Sequence, residues 1–302
     1  MAKKRVRTVG LAVLVVISTL ATLAVLYVFR LLSRPFVRAE DGGRPPFSWS
    51  GTVPVNLAWL AGPADSPDQA AVLHLDPHRQ RAVLIGVKPE ELTEAGISEQ
   101  VRALAAVTAL PIEGYFFMGT GGLSELREIL GPDATWSRWG LSIIPKLPTC
   151  LPVFRRHLLT NLSVGDVYRV VRFLATLRED RRVVVDLSET ASSIGGLCFD
   201  EVLQDEGLRI LVLNGTRRAG LAARAAQWVG NMGGFVLAVG NAPQQDYEHS
   251  LILATDVSSY TVGRLASSFA VTDLRAIGED VEWAKRADVV LILGLDKTSF
   301  FW

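Results

Sequence analysis

From Val9 to Phe29 the chain carries no charge and almost no polarity. At a helical rise of about 1.5 Å per residue the run reaches roughly 30 Å, the thickness of a bilayer's hydrocarbon core. In lipid a spanning segment must satisfy its own backbone hydrogen bonds, so the expected form is a transmembrane helix over 9–29. No small-x-small cleavage site follows before Arg30, which argues against a removable leader. Lys3, Lys4, Arg5 and Arg7 precede the run in the tail 1–8, against Arg30, Arg34 and Arg38 after it. That bias predicts a cytoplasmic N-terminus, single-pass insertion in the cytoplasmic membrane and extracytoplasmic C-terminal domains.

Beyond the anchor the pattern changes to short β-rich runs alternating with helical periodicity. Residues 30–51 mix charge with Gly and Pro and read as a stalk, with Phe47 and Trp49 either near the headgroups or opening the first strand. Over 52–187, VPVNLAWLA, Ala70–Leu75, Arg81–Val87 and Ile112–Met118 predict strands. Ser98–Leu110, capped by Ser98, and Leu123–Leu130 predict helices, as does the run opened by Asn161-Leu162-Ser163. A strand over Arg182–Leu187 closes the unit, and 188–206 reads as a linker. Over 207–297, strands are expected at Arg209–Leu213, Phe235–Val239, Leu251–Thr255 and Ala287–Leu293, with helices at Ala219–Val229 and Ser258–Phe269. Thr216 is positioned to cap the first of these. This β-α-β-β-α-β order predicts a four-stranded split βαβ sandwich with both helices on one face. The fold class is therefore α/β, with an N-terminal membrane helix and two outward domains. An aromatic tail, 298–302, can dock on a partner, rest on the membrane interface or pack back on its own domain.

Composition narrows the functional classes. The 31 basic and 31 acidic residues balance, which speaks against a nucleic-acid footprint. The four histidines (His74, His78, His157, His249) and two cysteines, Cys150 and Cys198, form no metal-ligand spacing, and no metal site is expected. No Ser-His-Asp, Cys-His or paired-carboxylate arrangement stands at useful spacing.

Two resemblances add to this reading. The order of strand, Asp76-Pro77 turn, strand, helix, Leu110-Pro111-Ile112-Glu113-x-Tyr115 strand and short helix resembles the catalytic domain of the LytR-CpsA-Psr family. That resemblance implies a membrane-anchored phosphotransferase moving glycopolymer from polyprenyl-pyrophosphate to peptidoglycan, with Mg²⁺ held by an aspartate whose place Asp68 takes. The family's phosphate-binding arginine is missing: Val87-Lys88-Pro89-Glu90 stands where I-P-R-D is expected, and the later R-x-x-R-Q-Q stretch is absent. The domain thus reads as a degenerate relative, a pseudoenzyme in which Asp68 is a vestigial candidate, the preferred account of it being a turn residue in Ala64–Gln69. Under the alternative of an active phosphotransferase, Lys88, Arg155 and Arg156 supply the phosphate contacts and Mg²⁺ is the cofactor; otherwise no cofactor is expected. Within the apolar segment Ala134–Leu151, Trp136 to Leu151 reads as a core-covering loop, with a groove for a polyprenyl tail or a contact with the membrane as the other possibilities.

The second resemblance is to the LytR C-terminal domain. Val212–Thr216, Gly220–Ala222, Val239–Ala242, Tyr247 and Ala287–Asp296 carry it. It implies an accessory or binding role in the cell envelope. Asn214, Gly215, Thr216, Arg217, Arg218 and Gly220 form a turn feeding a helix N-terminus and are the candidate ligand-binding residues, because free N–H groups beside arginines suit an anion. The plainer account gives the glycines to tight turns and the arginines to solvent. The expected function is a non-catalytic envelope protein that binds or organises peptidoglycan, an envelope glycopolymer or a wall-assembly protein.

Overall fold

The computed structural model describes residues 47–92, 96–131, 146, 149–150, 152–187, 196–278, 284 and 286–298. The span at 9–29, most of the stalk and of the apolar segment 134–151, and the aromatic tail beyond 298 lie outside them. No helix among the described residues is long and apolar enough to cross a membrane.

The architecture is mixed α/β, with two mixed sheets. The first is six-stranded, order β5-β4-β1-β2-β3-β6. Its strands are β1 (Val55–Ala61), β2 (Gln69–Asp76), β3 (Arg81–Val87), β4 (Gly114–Met118), β5 (Leu158–Thr160) and β6 (Arg182–Asp186). The β1-β2-β3 meander is antiparallel, while β4 joins β1 and β6 joins β3 in parallel. Strand β1 is buried at every position, as a central strand covered on both faces must be. On one face lie α2 (Thr120–Leu130) and α3 (Val164–Thr176), with Leu126, Val167 and Val170 packed against Leu57, Trp59 and Leu73. Trp49 is buried in this core, edge-on to Phe173 at 5.7 Å. The buried Asp166 carboxylate fixes that entry: it accepts from the Ser48 hydroxyl and the Trp49 N–H while closing a capping box with Ser163.

On the other face α1 (Ile97–Thr108) buries Val101, Leu104 and Ala105. Its N-cap is Gly96 rather than Ser98, which lies inside the first turn.

The second sheet is five-stranded, order β10-β9-β11-β7-β8. It comprises β7 (Arg209–Asn214), β8 (Phe235–Asn241), β9 (Leu251–Ala254), β10 (Asp273–Ala276) and β11 (Val289–Leu293). The expected split does not occur: β7 and β8 are direct parallel neighbours, and so are β9 and β10. The expectation of four strands is corrected by β10, a short polar strand that the hydrophobic pattern does not mark. Each βαβ crossover closes without a strand inside it, and β11 enters between the two units, parallel to β7 and antiparallel to β9.

Helices α5 (Leu221–Asn231) and α6 (Tyr260–Phe269) cover one face of this sheet, and one continuous apolar cluster runs from the first sheet through α1, α5 and α6 to the second. A short helix, α4 (Glu201–Glu206), lies beside α6, and the Glu206 carboxylate accepts from the N–H groups of Tyr260 and Thr261 at its N-terminus.

Within this shared core sits a charged link. Arg264 of α6 is 6% exposed, and its guanidinium donates to Glu113 Oε1 at 2.8 Å while its Nε lies 3.3 Å from Asp200 Oδ2. Glu113 precedes β4 and also accepts the Asn56 N–H; Asp200 caps α4 and accepts the Tyr260 hydroxyl at 2.6 Å. Burial works against the Arg264 charge, but Glu113 and then Asp200 outweigh it and raise its pKa. Close by, buried His74 meets Asn56 Oδ1 at 2.8 Å through Nδ1. The Asn56 amide donates to the Pro111 carbonyl, so its oxygen faces the ring and Nδ1 carries the proton. Burial first, then Arg264, Arg81 and Arg79, drives the His74 pKa down to about 3.

Removing one partner of a buried pair leaves an uncompensated charge, at a cost of about 3–5 kcal/mol. Arg264→Ala is therefore expected to lose most of the chain's stability in a urea titration, with Arg264→Lys recovering only part of it. His74 stays neutral when folded but binds a proton near pH 6.5 when unfolded, so its contribution is complete above pH 6.5 and drains away as pH falls towards 3. Between pH 7 and 5, His74→Gln should flatten the fall in stability seen for the wild type by up to about 1 kcal/mol per pH unit.

Candidate functional site

Because β7, β8 and β11 run parallel, their C-terminal ends meet at one edge of the second sheet, where β9 begins. Loops leaving the carboxyl ends of parallel strands form the usual crevice of an open α/β sheet. Here the loops are tied to one another by backbone. Gly215 donates to the Leu293 carbonyl at 2.9 Å, Tyr247 donates to the Gly215 carbonyl at 3.0 Å, and Leu295 donates to the Tyr247 carbonyl at 2.9 Å. Gly215 has to be glycine: a Cβ there would stand 2.8 Å from the Tyr247 ring and 2.9 Å from the Leu293 oxygen.

Side chains complete the frame. Buried Asn214 accepts from the Thr216 N–H and hydroxyl, and its amide donates to the Arg218 carbonyl at 2.8 Å. The Thr216 oxygen in turn accepts the Arg218 N–H at 3.1 Å. Thr216 thus holds the loop rather than capping α5, whose N-cap is Gly220 at φ +84°. On the far side Ser250 donates its N–H and hydroxyl to Asp296 Oδ1, and Gly294 N–H donates to the Ser250 oxygen. Burial would raise the Asp296 pKa, but bonds from Ser250 and the Lys297 ammonium, 3.0 Å away, hold it below the usual carboxylate value.

The six residues singled out from the sequence therefore divide. Asn214, Gly215 and Thr216 are buried and turn their polar groups inward; Arg217, Arg218 and Gly220 are exposed at the start of α5. Arg224, one turn into the helix, has its pKa lowered by burial and then by Arg218, so two guanidiniums crowd the positive end of a helix. Chemically this surface favours an anion. Ser250 and Asp296 were missed as a framing pair because they are far apart in sequence; only their polarity at strand ends marks them.

Residues 207–296 match the family described as LytR cell envelope-related transcriptional attenuator. This segment is a LytR_C domain. Its described strands and helices are those of the second sheet and its cover. No curated protein matches the chain. Among solved structures, Lin1025 protein from Listeria innocua is 9% identical with a TM-score of 0.36, covering 45% of this chain and 82% of that one. TagV of B. subtilis is 10% identical with a TM-score of 0.36, covering 45% and 84%. TagT of B. subtilis is 10% identical with a TM-score of 0.34, covering 51% and 85%. These are partial likenesses at low identity, and the family match is confined to the LytR_C domain.

The first sheet places the other candidates at one end. Asp68 is exposed in the turn entering β2, packed beside Gly62 at φ +127°. The register of β2 on β3 brings exposed Lys88 to the same end. Among the described residues Asp68 makes no ion pair, and no three metal-capable side chains gather anywhere. Arg155 and Arg156 stand exposed on the helical turn before β5, and Arg156 spans both oxygens of Glu125, at 2.9 and 3.4 Å. His157 Nε2 lies 3.1 Å from the same carboxylate. Cys150 and Cys198 are free and buried in separate cores on opposite faces of the first sheet.

Asn214→Ala strips three hydrogen bonds from a buried loop and is expected to destabilise the protein by about 2–3 kcal/mol. Arg217→Ala, at the exposed rim of the same loop, should change stability by no more than about 0.5 kcal/mol. Equal losses in chemical denaturation would contradict the division between frame and surface.

Proposed function

We propose that this chain is a cell-envelope protein, anchored by Val9–Phe29 with its folded part outside the cytoplasmic membrane, which binds or organises wall polymer or wall-synthesis machinery without catalysis. The observation that carries the proposal is the LytR_C match over 207–296, a domain described by its relation to the cell envelope. The uncharged N-terminal run is long enough to span a bilayer and supports the anchor.

The first sheet is the degenerate LytR-CpsA-Psr-like part in this reading. Gripping a diphosphate calls for several guanidiniums converging near a metal-binding carboxylate. At Asp68 the cation brought close by strand register is Lys88, while Arg156 is already engaged by Glu125, which favours binding over turnover. On the LytR_C domain, Arg217, Arg218 and the start of α5 offer positive charge to an acidic or phosphate-bearing polymer.

Full-length protein in detergent should co-sediment with purified sacculi. Arg217→Glu with Arg218→Glu should cut retention about tenfold, and raising salt should weaken wild-type binding in step. The same preparation given a polyprenyl-pyrophosphate glycan and Mg²⁺ should release no product. Turnover lost in Asp68→Ala would establish the phosphotransferase instead, and co-purification with a wall-assembly protein without sacculus retention would make it a structural subunit.

A further inference from the structure

The chain enters its first sheet along α3. Phe47 pairs with Leu162 just before the helix, Ser48 and Trp49 donate to the Asp166 carboxylate, and the Trp49 ring stands against Phe173. The Arg169 guanidinium adds a bond to the Trp49 carbonyl at 3.1 Å. The segment 30–46, which follows the uncharged run, thus ends on this helix and can span at most about 60 Å. The outward side of α3 carries charge of one sign. Tyr168, Arg169, Arg172 and Thr176 are exposed at helical spacing, while the helix's one acid, Asp166, is buried. Arg172 makes no ion pair among the described residues. Beyond the helix Arg178 and Arg181 extend the patch, sharing Asp180 at 3.2 and 4.0 Å, with Glu179 exposed between them. Beside these arginines Leu73, Leu84, Leu174 and Val184 line a groove between α3 and the edge strand β6, and Val184 is 63% exposed.

We propose that, given the membrane anchor proposed above, this face of α3 and the neighbouring edge at β6 rest on an anionic bilayer surface. A soluble anion would use the arginines alone. A bilayer uses all three features: guanidiniums meet lipid phosphates, their aliphatic stems and Tyr168 suit the headgroup level, and Val184 offers apolar area to the acyl boundary. Each contact is weak, and Asp180 offsets part of the charge. The tether compensates, because it makes docking an intramolecular step at an effective concentration of about millimolar. The LytR_C domain packs on the opposite face of the first sheet, so the contact places that domain on the side away from the lipid.

The test uses full-length protein reconstituted into liposomes of phosphatidylcholine, alone or mixed equally with phosphatidylglycerol. A fluorescent dye is attached at Thr176→Cys, where Cys150 and Cys198 are buried and escape labelling. In the anionic liposomes acrylamide should quench this dye about threefold less than in the neutral ones. The same dye at Gln244→Cys, exposed in the loop after β8, should not distinguish the two. Arg172→Glu with Arg178→Glu should return quenching at Thr176→Cys to the neutral-liposome level, as should high salt. Equal quenching in both liposomes overturns the docking face and leaves it to solvent or a protein partner. Protection that survives the double substitution overturns it too. Flotation separates this face from the anchor, since an anchored chain floats with either composition. A chain that floats only with the anionic liposomes, and stops doing so after the double substitution, refutes the anchor and upholds the face. One that floats with neither overturns both.

Discussion

A guanidinium buried between two carboxylates is costly to desolvate, and it persists only where geometry and further hydrogen bonds repay that cost. Arg264 meets the condition by joining groups from separate parts of the chain: Glu113 before β4, and Asp200 before α4. Each carboxylate has a second duty, Glu113 receiving the Asn56 N–H and Asp200 capping α4. The ion cluster thereby fixes the orientation of α6 against the first sheet, and the apolar cluster around it then packs in one arrangement. Hydrophobic burial alone is non-directional and would allow the two sheets to slide over the intervening helices.

That fixed arrangement matters for the strand-end loops. Helix α6 is tied to the first sheet by Arg264, and Lys297, just after β11, donates to the Ala270 carbonyl at the end of the same helix. The Lys297–Asp296–Ser250 chain then continues into the frame around Gly294. The exposed arginines at the start of α5 follow a loop held by the hydrogen bonds of Asn214 and Thr216. The end of the first sheet is differently built. Near it, Arg156 of the turn before β5 is bound to the Glu125 carboxylate of α2.

Much of the fold could be read from the pattern of residues. Continuous apolar runs marked β1 to β4 and β11, and the alanine-rich stretch marked α5, because burial on both faces or on one stripe leaves a strong local periodicity. Elements whose stability comes from neighbours were not legible. Strand β5 is three residues of edge, β10 is held by ladder bonds to β9, and α4 is a six-residue helix capped by Asp200. Of the candidate residues, the loop Asn214–Gly220 was found from its glycine and asparagine, but which side chains face inward was not.

The chain's linear order by itself determined the uncharged N-terminal run, the alternation of short strands and helices beyond it and the turn chemistry at Asn214-Gly215. These depend on neighbours a few residues apart, and local sterics and hydropathy decide them. Only the tertiary structure decided that the βαβ crossovers close unsplit, that one core serves both sheets and that Arg264 links Glu113 to Asp200. Those contacts join residues more than sixty or a hundred and fifty positions apart, and their energies come from burial and charge that no short window of sequence contains.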